Sequence, residues 1–178
     1  MNTARLEKLE SYHLLHGAHK SFEEGMCAME FVAWLADETH SDAPWCACPV
    51  LGAFVRVWND SLNDVDRDRL LKPLIPRLVG SRSTPEVEHQ RSYLALDWLI
   101  REFLPTWLEQ VDALRAHAVE IRALEAIRDL ESAEAAGPKV RAAGDAARDA
   151  IQPTVVRLQV SALDFVDRML ARGESSDV

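Results

Sequence analysis

The chain has 178 residues, 48% of them hydrophobic and 28% charged, with 29 acids against 20 bases for a formal net charge of −9. A chain of this size buries roughly two-thirds of its unfolded surface, so it folds without disulfide or metal, and disorder is not expected outside the ends. The negative field argues against nucleic acid and anionic membrane as partners.

The N-terminus lacks the apolar stretch of a signal peptide, and no run approaches the ~20 apolar residues of a membrane span. Three cysteines imply no disulfide framework. The cytoplasm is the expected compartment.

Helical periodicity runs almost throughout, with no convincing strand pattern. Thr3 is placed to cap a first helix of about three turns that ends near Gly17. Ser21-Phe22-Glu23-Glu24 reads as a capping box opening a second helix, with Phe22, Met26, Met29, Ala33 and Ala36 on its buried face. Residues 37 to 48 form a polar connection. Pro49 suits the first position of the next helix, whose stripe is Leu51, Phe54, Val55, Trp58 and Leu62.

Asn63 restarts a helix that must kink or end at Pro73 and Pro76, and Gly80 is placed to close it. The arginines and lysine from Arg67 to Arg91 lie among Asp64, Asp66 and Asp68, which reads as a solvated helix face. Thr84-Pro85 opens another helix, and Pro105 either kinks it or starts a new one.

The apolar rhythm continues from Trp107 through Ile121 and Leu124 to Leu130. Gly137-Pro138 reads as the clearest break in the chain. Residues 140 to 150 are alanine-rich, strongly helical and poor in material to bury. A last helix is expected from about Pro153 to Gly173. Its polar residues Arg157, Ser161, Asp164 and Arg168 form one stripe and the other sides are largely apolar, so it is expected to dock back on the N-terminal helices.

Together these elements give an all-α bundle of about six to eight helices with no sheet. The domain reading is a main helical bundle at 1–136, an alanine-rich arm with the C-terminal helix packing back at 137–173, and a loose tail at 174–178. Several stretches resemble an uncharacterised all-helical protein family of actinobacteria and their phages. They are Glu24 to Glu30, Ser41-Asp42, Cys46, Pro49 to Leu51, Leu71 to Gly80 and Leu158 to Asp164. The resemblance implies a helical fold and a bacterial or phage setting, and no known activity.

Cys27, His40, Cys46 and Cys48 are the candidate metal ligands, since four nitrogen and sulfur donors would suit tetrahedral zinc if the 37–48 loop folds onto the second helix. Buried packing competes with that reading, because cysteine is among the most buried residue types. Cys48, just before Pro49, is also placed at a helix N-cap, where a thiolate is stabilised. His13, His16 and His19 recur at steps of three, but Gly17 interrupts their helix. Asp37-x-x-His40 and Glu86-x-x-His89 faintly match di-iron motifs. Asp97, amid apolar neighbours, is a candidate for a raised pKa with Arg101 as its ion-pair partner. Tyr93, Trp98, Phe103 and Trp107 fit a packed core better than a ligand box, and a pocket for an apolar ligand lined by Trp34, Trp58 and Trp98 rests on aromatic content alone.

Neither a glycine-rich phosphate loop nor a Gly-x-Ser-x-Gly elbow occurs. The leading expectation is therefore a non-enzymatic helical interaction protein, an adaptor, regulator or assembly component, with a protein partner or self-association and no cofactor. The alternative is a zinc-binding protein or metal-dependent enzyme built on the cysteine and histidine cluster.

Overall fold

The computed structural model describes residues 1–174, with side chains through Met169. Among the described residues there is no strand, and seven helices have five residues or more, so the fold is all-α. The chain forms two compact units that divide between Ser92 and Tyr93.

The first unit is organised around α2 (Ala28–Leu35), in which every residue but Trp34 is buried. A helix that is apolar all round belongs at the centre of a core. Leu9, Leu14, Met26, Val55, Leu71, Ile75 and Leu78 cluster with it. These come from the flanking segments, α3 (Pro49–Ser61), α4 (Asp64–Leu71) and α5 (Ile75–Leu78). Pro49 occupies the start of α3, Asn63 caps α4 by accepting from the Asp66 amide, and Pro73 and Pro76 divide the following turns. Gly80 closes this run with φ of 75°.

The N-terminal segment departs from expectation. Asn2, not Thr3, caps α1 (Thr3–Leu6), which lasts a single turn before a 3-10 turn at Leu9–Ser11. No helix begins at Ser21. Gly25 has φ of 129°, and a Cβ there would fall 2.3 Å from Leu15 Cδ1, so the backbone must turn at this residue. The capping box stands instead at Cys27 and Glu30: the Cys27 thiol accepts from the Glu30 amide, and the Glu30 carboxylate accepts from the Cys27 amide.

The basic stretch is not a solvated face throughout. Arg67 is 2% exposed. Its guanidinium donates to the carbonyls of Asn59 at 2.9 Å, Leu14 at 3.3 Å and Leu62 at 2.6 Å, and to the Asp64 carboxylate at 2.7 Å. One planar fork thus satisfies three carbonyls from a loop and a helix end, which would otherwise lack partners. Lys72, also buried, lies 3.2 Å from Asp68.

The boundary between the units falls inside α6 (Pro85–Trp98), which opens at Thr84-Pro85 as expected. Pro105 lacks an amide, and the chain meets it with a π turn at Leu99–Phe103 before α7 (Leu104–Leu108). The rhythm from Trp107 to Leu130 is not one helix. It breaks after α7, forms α8 (Arg115–Arg122), and breaks again before α9 (Leu130–Glu174). Asp129 and Ser132 explain the restart, because the Ser132 amide donates to the Asp129 carboxylate at 2.8 Å.

Helix α9 runs 45 residues straight through Gly137-Pro138 and Pro153. Each proline forfeits a backbone bond and costs about 3 kcal/mol in a helix interior. Eight alanines between Leu130 and Ala150 offset this, and their small side chains let the helix sit close to its neighbours. Ala143 is fully buried in a cluster with Leu108, Leu114, Ala118 and Ile121, with Val140, Ala146 and Ala147 packed beside it. The expected arm at 137–173 is therefore the continuation of a helix already begun at Leu130. The loose tail expected at 174–178 lies outside the described residues except for Glu174, which ends α9.

Replacing Arg67 with Ala leaves three carbonyls short of a donor and should cost about 3 kcal/mol of unfolding free energy. Arg67→Lys should recover only part, since an ammonium cannot span the same fork. Urea denaturation of the three proteins reads this directly, and a loss below about 1 kcal/mol for Arg67→Ala would show that the fork is not structural.

Candidate functional site

The metal-ligand candidates are held in separate roles. Cys27 caps α2 and is buried; burial is the main reason its thiol pKa is pushed up to about 12, with the nearby Glu30 carboxylate adding to the rise. That thiol stays protonated and unreactive. Cys46 is half-buried, its amide donating to Glu38 at 2.7 Å, and burial also pushes its thiol up. Cys48 does stand at the N-cap of α3, but it is fully buried, its side chain makes no capping bond, and its amide donates to Ser81 Oγ at 3.0 Å. Among the described residues no three His, Cys, Asp or Glu side chains form a group that could hold a metal ion.

His40 and Cys27 do converge, but on Glu30. This carboxylate is 1% exposed and accepts from the His19 amide at 2.7 Å, His19 Nδ1 at 2.8 Å and the Cys27 amide at 2.7 Å. His40 Nε2 lies 3.5 Å from Oε1, the oxygen that accepts from the His19 amide, with the imidazole edge-on to Phe22 at 4.7 Å. Burial works to raise the Glu30 pKa, but the hydrogen bonds from the two amides and from His19 and Cys27 outweigh it, and the net shift is downward. The buried charge thus ties the irregular segment before α2 to the start of that helix. Nothing in the sequence marked Glu30 as central; its position three residues after Cys27 is a capping-box signal hidden by cysteine standing where serine or threonine is usual.

The remaining polar candidates have structural partners. His13 pairs with Asp68 at 2.6 Å, so the three-residue histidine steps face different carboxylates. Asp37 pairs with Arg5 at 2.9 Å. Asp97 does pair with Arg101, at 3.1 Å. Its pKa is lowered and not raised: burial pushes it up, but the Ile127 amide at 2.8 Å and the Arg101 guanidinium hold it down. Trp34 packs edge-on against Tyr12 and Phe31, as a core residue does.

Exposed apolar side chains lie between Leu94 and Trp107, with Trp98 and Trp107 both against Phe103, and in a longer run on the distal half of α9. From 151 to 169 every side chain is exposed except half-buried Val155. Within its own unit the apolar groups of this half face outward. Ile151, Val155, Leu158, Ala162, Phe165 and Met169 recur at steps of four and three, the spacing that aligns one seam along a helix. Leu158 is 61% exposed and Phe165 53%. Asp164 and Arg168 pair at 3.0 Å in the polar stripe that the sequence indicates, and the Arg168 guanidinium also lies over the Phe165 ring at 6.0 Å. What this arrangement can do is bind another apolar surface. No helix among the described residues is long and apolar enough to cross a membrane.

No protein-family model matches the chain, and neither a curated protein nor a solved structure matches it.

The Glu30 pKa lies below its ordinary value of 4.5, so the unfolded chain takes up the proton more readily. The stability that ionised Glu30 supplies is complete above the ordinary value and lost as pH falls through the folded one. Wild type should therefore exceed Glu30→Gln in unfolding free energy at pH 5.5, with the gap narrowing steadily towards pH 3. A gap independent of pH would show that the charge on Glu30 contributes nothing.

Proposed function

We propose that this chain is a non-enzymatic helical interaction protein, an adaptor, regulator or assembly component, acting in the cytoplasm of a bacterium or its phage. The observation that carries the reading is the apolar face of α9 between Ile151 and Met169, left in water at the end of a helix whose first half is packed. Contiguous exposed apolar surface of this kind marks binding sites on soluble proteins.

The disposition of reactive groups supports the same reading. Glu30, Arg67 and Cys27 are buried and spend their hydrogen bonds on loops and helix ends. The three thiols are wholly or partly buried, and two of them are pushed up in pKa. Charge over the rest of the chain is net negative, which favours a protein partner over a polyanion.

An interaction face and a core face respond oppositely to charge. The double variant Leu158→Glu/Phe165→Glu should leave the unfolding free energy of the isolated monomer within about 0.5 kcal/mol of wild type, as surface changes do. A loss of several kcal/mol in a monomeric protein would mean that the helix is packed within its own chain, and the interaction reading would fall.

A further inference from the structure

Resting on that reading, we infer that the partner of the distal half of α9 is a second copy of this chain, joined through a self-complementary seam of parallel or antiparallel helices. The seam is continuous over the 19 residues from Ile151 to Met169, with apolar residues at every four-three step.

The first argument is electrostatic. Two copies of a chain carrying −9 repel each other, so a homotypic contact needs a face free of like charge. At about 100° per residue, the seam is bordered on one side by Thr154, Ser161 and Arg168 and on the other by Gln152, Gln159 and Val166, so that no acid flanks it. Arg157, Asp164 and Asp167 fall on the far side of the helix. A charged partner would find only Arg168 to pair with here, whereas a second copy brings no acid against the seam.

The second argument is area. The seam residues are about half exposed, from 50% at Met169 to 61% at Leu158 for the large ones. Together with Val166 beside them they offer on the order of 600 Å² per chain, close to the roughly 800 Å² per partner of a stable complex. An isologous contact covers this surface twice with the same residues.

The third is the helix itself. Ile151, Thr154, Val155, Val156, Val160 and Val166 are β-branched and Pro153 removes a backbone bond, so this half is a poor helix former without packing. A helix covered along one seam gains from contact what it lacks in propensity.

Sedimentation equilibrium of the full chain from 1 to 100 μM, with Leu158→Glu/Phe165→Glu and with Arg157→Glu as a control on the far side, tests the proposal. Wild type and Arg157→Glu should associate alike, and the double variant should weaken association by at least about 100-fold. The milder Leu158→Gln should fall between them, which covers the case of a double variant that misfolds. Association that survives the double variant would place the contact elsewhere and overturn the proposal. A wild-type monomer throughout the range would also overturn it. If residues 151–169 then exchange amide hydrogens rapidly, only the choice of a second copy has failed; if they are protected, the interaction reading falls with it.

Discussion

Water tolerates a few scattered apolar side chains but not a ribbon of them along three turns or more of helix, because each buried methylene is worth about 0.8 kcal/mol. The two halves of α9 stand on either side of that constraint. From Leu130 to Ala147 the helix meets its neighbours through alanine and valine, and the small side chains bring backbones close. From Ile151 the side chains become large and branched, yet they face solvent. That exposed bulk is the surface on which the proposed interaction rests.

The first unit shows how the chain deals with polar groups that it does bury. The long irregular segment before α2 leaves backbone amides and carbonyls without helical partners, and buried groups in that state are expensive. Glu30 answers the amides and Arg67 answers the carbonyls, each with several bonds from one side chain. An anion serving donors and a cation serving acceptors is the economical pairing, since charge-assisted bonds are about twice as strong as neutral ones.

Much of the helical architecture was legible because proline, asparagine and glycine act locally. Pro49, Asn63, Gly80 and Pro85 stand where their own backbone chemistry puts them. What was not legible depends on contacts distant in sequence. Cysteine caps α2 in place of a hydroxyl residue, and Gly25 moves the start seven residues past Ser21. The Gly137-Pro138 signal is overridden by surrounding alanines, and the division of the chain falls inside α6, where no linker composition marks it. Arg67 looked solvated because its carbonyl partners lie up to 53 residues away. Of the candidate site, the apolar character of the last helix was plain in the sequence; its exposure was not, since that depends on whether the rest of the chain supplies a matching face.

Amide hydrogen exchange across α9 in the intact protein, followed from dilute to concentrated solution, bears most directly on the central claim. Residues 130–147 should be protected at every concentration, while 151–169 should exchange fast when dilute and slow as association covers them. Equal, concentration-independent protection along the whole helix in a monomer would contradict the account, because it would show the distal half buried by its own chain.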